Sequence, residues 1–152
     1  MSMKKVLICL AATMALLSCT RTNPFFQEWK TPYGIPPYEK IQYGDYVPAV
    51  KAGIEAQRAE LDAIVASTEA PTFENVIAPF DRSGELLAKV TGVLYNVSET
   101  DNCPELEAII EEVTPILSDH SDGIYMDKGL YEKVAAVYNA DQSGLTREQQ
   151  MV

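Results

Sequence analysis

Histidine is almost missing from this chain of 152 residues: there is one, His120. Sites that need two or more histidines within the chain are thereby excluded. Cysteine is scarce as well, with three residues and no C-x-x-C pair. Basic side chains number 12 against 22 acidic ones, a formal net charge of -10. That shortage removes nucleic-acid binding from consideration, because phosphates need a basic footprint. HExxH, G-x-S-x-G and a Gly-rich phosphate loop are all absent. What remains is an ordinary globular mixture, 47% apolar and 22% charged, long enough for one domain.

The start of the chain reads as an export signal. Lys4 and Lys5 precede the apolar run from Val6 to Leu17, too short for a permanent transmembrane helix. The run ends at Leu16-Leu17-Ser18-Cys19, which resembles a bacterial lipobox. This predicts a signal peptide over 1–18, lipidation of Cys19, and an exported lipoprotein of the cell envelope. The placement would be the outer membrane or facing the periplasm, with the membrane as partner through a lipid anchor. Cys9 would leave with the leader and Cys103 would remain as an unmodified thiol, so packing rather than a disulfide must hold the fold.

Residues 19–45 form a second region. Seven of the 13 aromatic residues lie between Phe25 and Tyr46, interleaved with Pro24, Pro32, Pro36 and Pro37. Each proline fixes its own φ and pushes its predecessor towards extended geometry, so a long helix is unfavourable here. Large aromatics still seek burial, which predicts an irregular arm laid across a helical body.

From 46 to 152 the pattern is helical throughout, and the fold class expected is all-α, built of helical hairpins. Asp45 is the expected cap of a first helix with Val47, Val50, Ile54, Leu61 and Val65 inward, its stripe skipping a turn around Ala56 and Gln57. Thr72 caps a second, running from Phe73 to Val97, which Pro79 should bend or restart. Gly84 and Gly92 mark points where a neighbouring backbone can come close. A third helix opens near Pro104 and passes Pro115 with its stripe in phase, bent rather than ended. Asp127 caps a fourth. Thr146 and Gln149 stand in capping-box spacing and announce a fifth, close to the last residue. A capped helix with so little chain behind it reads as the front piece of a longer protein.

Chemistry-bearing residues are few. His120 falls on the apolar face of the third helix, where an imidazole packs and hydrogen-bonds across a helix interface. With no second histidine it is a poor metal ligand. Nothing basic flanks Cys103 to activate its thiol. Glu105, Glu107, Glu111 and Glu112 line the outer side of the third helix, and Glu60, Asp62 and Glu69 that of the first. No catalytic, cofactor-binding or metal-ligating residue is assigned, and Cys19 is the single modification site expected.

Several short blocks resemble a known family. Asn23-Pro24-Phe25-Phe26, Gly34-Ile35-Pro36-Pro37-Tyr38 and Tyr46-Val47-Pro48-Ala49 open the likeness. Its most specific part is Ala70-Pro71-Thr72-Phe73-Glu74-Asn75 followed by Asp81-Arg82-Ser83-Gly84-Glu85-Leu86-Leu87, continued by Pro115-Ile116-Leu117-Ser118-Asp119-His120 and Leu130-Tyr131. Together these are similar to the amino-terminal part of the oligopeptidase A, thimet oligopeptidase and peptidyl-dipeptidase family of zinc metallopeptidases, nearest to those exported by Bacteroides-like bacteria. The resemblance implies a two-lobed helical enzyme, monomeric when full length, that cleaves short peptides in a deep channel and in one branch releases carboxy-terminal dipeptides. It also implies zinc held by an HExxH helix and a following glutamate, none of which this chain contains. Residues 46–152 would then be an incomplete amino-terminal lobe that binds no zinc and is inactive alone. The alternative reading is an exported helical lipoprotein that serves as a binding or assembly module without hydrolytic activity.

Overall fold

A computed structural model describes residues 21–151. Among them every regular element is helical and no strand occurs. The expected leader over 1–18 and the lipidation site Cys19 lie outside the described residues. No helix among the described residues is long and apolar enough to cross a membrane. That corrects the expectation of a lipid-anchored protein of the cell envelope with a membrane partner, and the functional reading below proceeds without an anchor.

The arm makes three 3-10 turns, Pro24–Phe26, Pro32–Gly34 and Tyr38–Lys40. Prolines open the first two, where a missing N–H costs nothing. Burial of the aromatics is selective. Phe25 is fully enclosed, its ring 5.4 Å from that of Tyr46 and 6.2 Å from that of Trp29. The Trp29 indole N–H donates to the Pro24 carbonyl at 3.1 Å. Phe26, Tyr33 and Tyr38 stay exposed. Two charged groups hold the arm to the body. Lys89 Nζ donates to the carbonyls of Phe25 and Gln27 at 3.1 and 2.8 Å, and lies 4.2 Å from the Trp29 ring centroid. Arg21 grips Asp45 through two parallel bonds of 2.7 and 2.8 Å.

The first helix, α1, spans Tyr43–Ala66 and begins ahead of the expected cap. Asp45 caps from within the first turn, its Oδ2 accepting the Gln42 N–H at 2.7 Å. Pro48 therefore lies inside the helix rather than in its first turn. After a short connection, Thr72 Oγ1 accepts from the Asn75 N–H while Asn75 Oδ1 accepts from the Thr72 N–H, at 3.2 and 2.7 Å. This reciprocal cap starts a wide π-turn over Phe73–Ile77. Proline at position 79 cannot donate to residue 75 and its ring crowds that carbonyl, and the widened turn relieves the crowding. A short helix α2, Ala78–Arg82, follows and ends where Ser83 turns extended, and Gly84, at a φ of +79°, redirects the chain into the next helix. Helix α3 is Glu85–Thr100. The second helix expected from the sequence is thus three pieces, restarted around Pro79 as that proline predicts and, beyond the expectation, again at Gly84.

Helix α4, Pro104–Tyr125, runs through Pro115 without interruption, and through the Asp119–Gly123 stretch that reads as weak. Asp127 Oδ1 accepts from the Leu130 N–H at 2.8 Å and opens α5, Lys128–Tyr138. Thr146 and Gln149 exchange the expected reciprocal bonds, but a 3-10 turn rather than an α-helix follows.

Two apolar clusters hold these elements. In the larger, Val50 and Ile54 of α1 meet Val90 and Leu94 of α3 and Leu106 and Val113 of α4, with Phe25 as lid. The smaller joins Leu61 and Ile64 to Val76, Leu130 and Val137. Each fully buried Val or Leu contributes roughly 1.5–3 kcal/mol. Helix α1 belongs to both.

One glycine decides how near α3 can come. A Cβ on Gly53 would sit 2.9 Å from the Leu87 Cα, so only glycine allows that approach. Around Gly92, where the sequence also suggested a close neighbour, a Cβ would meet nothing within 4 Å. Gly53→Ala should therefore destabilise the fold by about 1–3 kcal/mol. Gly92→Ala should be neutral or stabilise by up to about 1 kcal/mol. Calorimetric melting of the two variants checks the contrast, and equal effects would show that the α1–α3 spacing is not set at Gly53.

Candidate functional site

His120 is the residue that a search for chemistry reaches first, and α4 carries it into the interior with 3% of its surface exposed. Its Nε2 lies 2.8 Å from Gln57 Oε1 on α1. Gln57 Nε2 in turn donates to Ser83 Oγ at 3.2 Å, and Ser83 Oγ donates to the Phe80 carbonyl at 2.8 Å. With the amide oxygen facing the ring, the imidazole donates from Nε2. Donors and acceptors alternate along the chain, which ties α4 through α1 to the joint between α2 and α3. Gly84 belongs to that joint: its N–H donates to Glu60 Oε2 at 2.8 Å, and a Cβ there would lie 2.5 Å from the Gln57 amide nitrogen.

Gln57 is the partner that sequence reading missed. It occupies the turn where the apolar stripe of α1 lapses. A polar residue at an inward position signals a buried partner, since an unpaired amide there would cost roughly 1–3 kcal/mol. The partner itself comes from 63 residues away, beyond the reach of local pattern. Arg21 and Lys89 are further residues whose partners only the tertiary structure reveals.

Burial, and next the positive charge of Arg58, hold the His120 pKa below its ordinary 6.5. The ring is neutral at pH 7 and already occupied on one nitrogen. Cys103 sits at the N-cap of α4 with its thiol 3.4 Å from the Tyr43 hydroxyl, which raises the Tyr43 pKa. Glu105, Glu107, Glu111 and Glu112 are exposed on the outer side of α4. Asp45 is the buried carboxylate, and Arg21 holds it below the usual carboxylate range. Tyr46, beside it, is pushed up to about 12 by burial.

These groups do not converge. Among the described residues no three of histidine, cysteine, aspartate or glutamate are placed to hold a metal ion. The donor set does not fit zinc: the single imidazole is engaged by Gln57, and the acidic side chains of α4 face solvent. An open crevice of about 880 Å³ lies between the turns of the arm, beside Trp29, Lys30, Pro37 and Lys40, and its lining contains neither histidine nor cysteine. The arrangement can position helices. It assembles no general acid, base or nucleophile pair.

Fold and site therefore define an all-helical unit whose polar residues serve its own joints. Comparison with known proteins places that unit beside peptidases. Dipeptidyl carboxypeptidase of Escherichia coli strain K12 is 33% identical over 130 residues, 85% of this chain and 19% of that protein. Its counterpart in Salmonella typhimurium strain LT2 is 32% identical over 122 residues, 80% of this chain and 18% of that protein. Oligopeptidase A of Escherichia coli strain K12 is 28% identical over 120 residues, 79% of this chain and 17% of that protein. The chain is homologous to members of the oligopeptidase A and peptidyl-dipeptidase family, as its sequence blocks suggested. It spans about a fifth of the length of the curated relatives it matches. No protein-family model matches it.

The single histidine allows an unambiguous test. The His120 proton signals should titrate with a midpoint below 6.5. The unfolded chain then takes up this proton first, so the contribution to stability is full above about pH 6.5 and falls as pH drops towards and through the folded value. His120→Gln should flatten that part of the pH–stability curve between pH 7 and 5. A midpoint at or above 6.5, or an unchanged curve, would contradict the buried neutral imidazole.

Proposed function

We propose that this chain is a non-catalytic, amino-terminal portion of a zinc-dependent metallopeptidase that cleaves short peptides and releases carboxy-terminal dipeptides. Residues 19–45 would serve as its packed arm and 46–152 as part of an amino-terminal lobe in a two-lobed enzyme. The observation that carries this reading is the homology to dipeptidyl carboxypeptidases over four fifths of the chain, set beside the lack of any metal-binding group among the described residues. Its blocks Thr72-Phe73-Glu74-Asn75 and Asp81-Arg82-Ser83-Gly84 support it structurally. The first forms the reciprocal cap and π-turn, and the second forms the joint to which Gln57 and Glu60 bond.

In such an enzyme zinc would polarise the scissile carbonyl and activate water. The contribution of this portion is to shape and cover the channel, through helices held at fixed spacing by Gly53 and the Gln57 chain. A lobe that only shapes a channel needs rigid joints rather than shifted nucleophiles, and that is how its buried polar groups are used.

The isolated chain should show no peptide hydrolysis, even with added zinc. Incubation with short peptides and detection of released dipeptides by mass spectrometry tests this. Zinc-dependent release above a buffer control would overturn the assignment as non-catalytic.

A further inference from the structure

The region from Phe25 to Tyr46 carries more aromatic side chains than packing uses. Phe25 and Trp29 serve the core and Lys89, whereas Tyr38 and Tyr43 keep 45% and 49% of their surface exposed. These two are not scattered. With the buried Tyr46 they line a single pocket of about 390 Å³, where the third turn of the arm meets the start of α1 and the last turn of α3. Ile41, Gln42 and Val97 complete its wall, and none of the six lining residues is charged. The volume lies near the lower end of the range for small-molecule sites, about 300–1,000 Å³. Phe25 packs against Tyr46, which fixes that ring in place.

The charge around the pocket is mostly of one sign. Helix α3 ends beside it, and a helix C-terminus carries partial negative charge. No basic residue stands in that last turn, which contains Glu99, and the Asp101 N–H caps it by donating to the Val97 carbonyl at 2.8 Å. The Tyr43 pKa is raised first by its bond with Cys103 and further by the negative charges of Glu105 and Asp101. The positive end of α1 is already answered by Asp45, which Arg21 in turn neutralises. The arm's cations Arg21, Lys30 and Lys40 line the separate crevice between its turns. Tyrosine rings in a negative field attract a cation, and an uncharged wall favours one that sheds water easily. A hydrated inorganic ion is unsuited, because no carboxylate in the wall can replace its water.

We propose that the pocket lined by Tyr38, Tyr43 and Tyr46 is a binding site for a small quaternary ammonium ion, held by its methyl groups against the tyrosine rings. Such an ion spreads its charge over methyl groups and needs aromatic surface rather than a paired carboxylate. Tyr46 is the fixed floor, and the half-exposed Tyr38 and Tyr43 are the sides between which the ligand enters. The site is built wholly from this chain and does not depend on the peptidase reading.

Titration of the full 152-residue chain with choline tests the proposal, followed through the NMR signals of Val97 and the tyrosine rings. The control ligand is the tert-butyl analogue of choline, which has the same shape and no charge. Choline should give saturable shifts centred on this pocket, and the neutral analogue should bind about tenfold more weakly. Tyr38→Leu with Tyr43→Leu should weaken choline binding by about tenfold or more. Tyr38→Phe with Tyr43→Phe should retain it, because the ring faces remain and only the hydroxyls are lost. Melting curves establish that each variant is folded, and if the leucine pair is not, the neutral analogue decides alone. Equal affinity for choline and the neutral analogue would reduce the pocket to an apolar recess and overturn the proposal. Shifts centred elsewhere, no saturable shift, or a folded leucine pair that binds choline unchanged would overturn it too.

Discussion

Everything in this structure is hung on helix α1. Both apolar clusters draw on it, one through Val50 and Ile54 and the other through Leu61 and Ile64. It can serve two clusters because Gly53 lets α3 approach until the Leu87 backbone meets it, leaving the remaining faces for α4, α5 and the arm. A side chain at that position would push α3 outward and open the larger cluster. Packing density in protein interiors leaves little room for such a shift.

The polar groups follow from the same arrangement. Helices that cross a common post bury some of their polar residues, and each buried donor or acceptor then needs a partner. His120 finds Gln57, Gln57 finds Ser83, and Asp45 finds Arg21 and the Gln42 N–H. No buried side-chain nitrogen or oxygen among the described residues is left without a partner. An imidazole used in this way is a joint rather than a ligand. The homology to peptidases and the lack of a metal-binding group among the described residues both fit the non-catalytic portion proposed above.

Much of this was legible in the sequence because helices announce themselves locally. The Thr72 and Asp127 caps, the Pro104 start and the inward position of His120 depend on residues within a few positions of one another, and the structure has them all. The first helix was less well read, since its cap works from the third position and carries the start back to Tyr43. The restart at Pro79 is readable from the proline itself, whereas the break at Gly84 is not, because Phe80 and Leu87 on either side of it keep a helical spacing. Gly53 was missed and Gly92 overrated, since close approach depends on a partner element rather than on the glycine. The arm's aromatics also divided, with Phe25 inside and Tyr33 outside, a choice set by contacts with Tyr46 and Lys89 that no local pattern encodes.

The proposal that a catalytic zinc site lies in polypeptide beyond this chain has a direct test in the nucleotide sequence downstream of codon 152. The expected result is an open coding sequence, continuous or separated by a frameshift, that specifies an HExxH helix and a later glutamate able to complete the zinc ligands. A stop codon followed by no such sequence would contradict the claim.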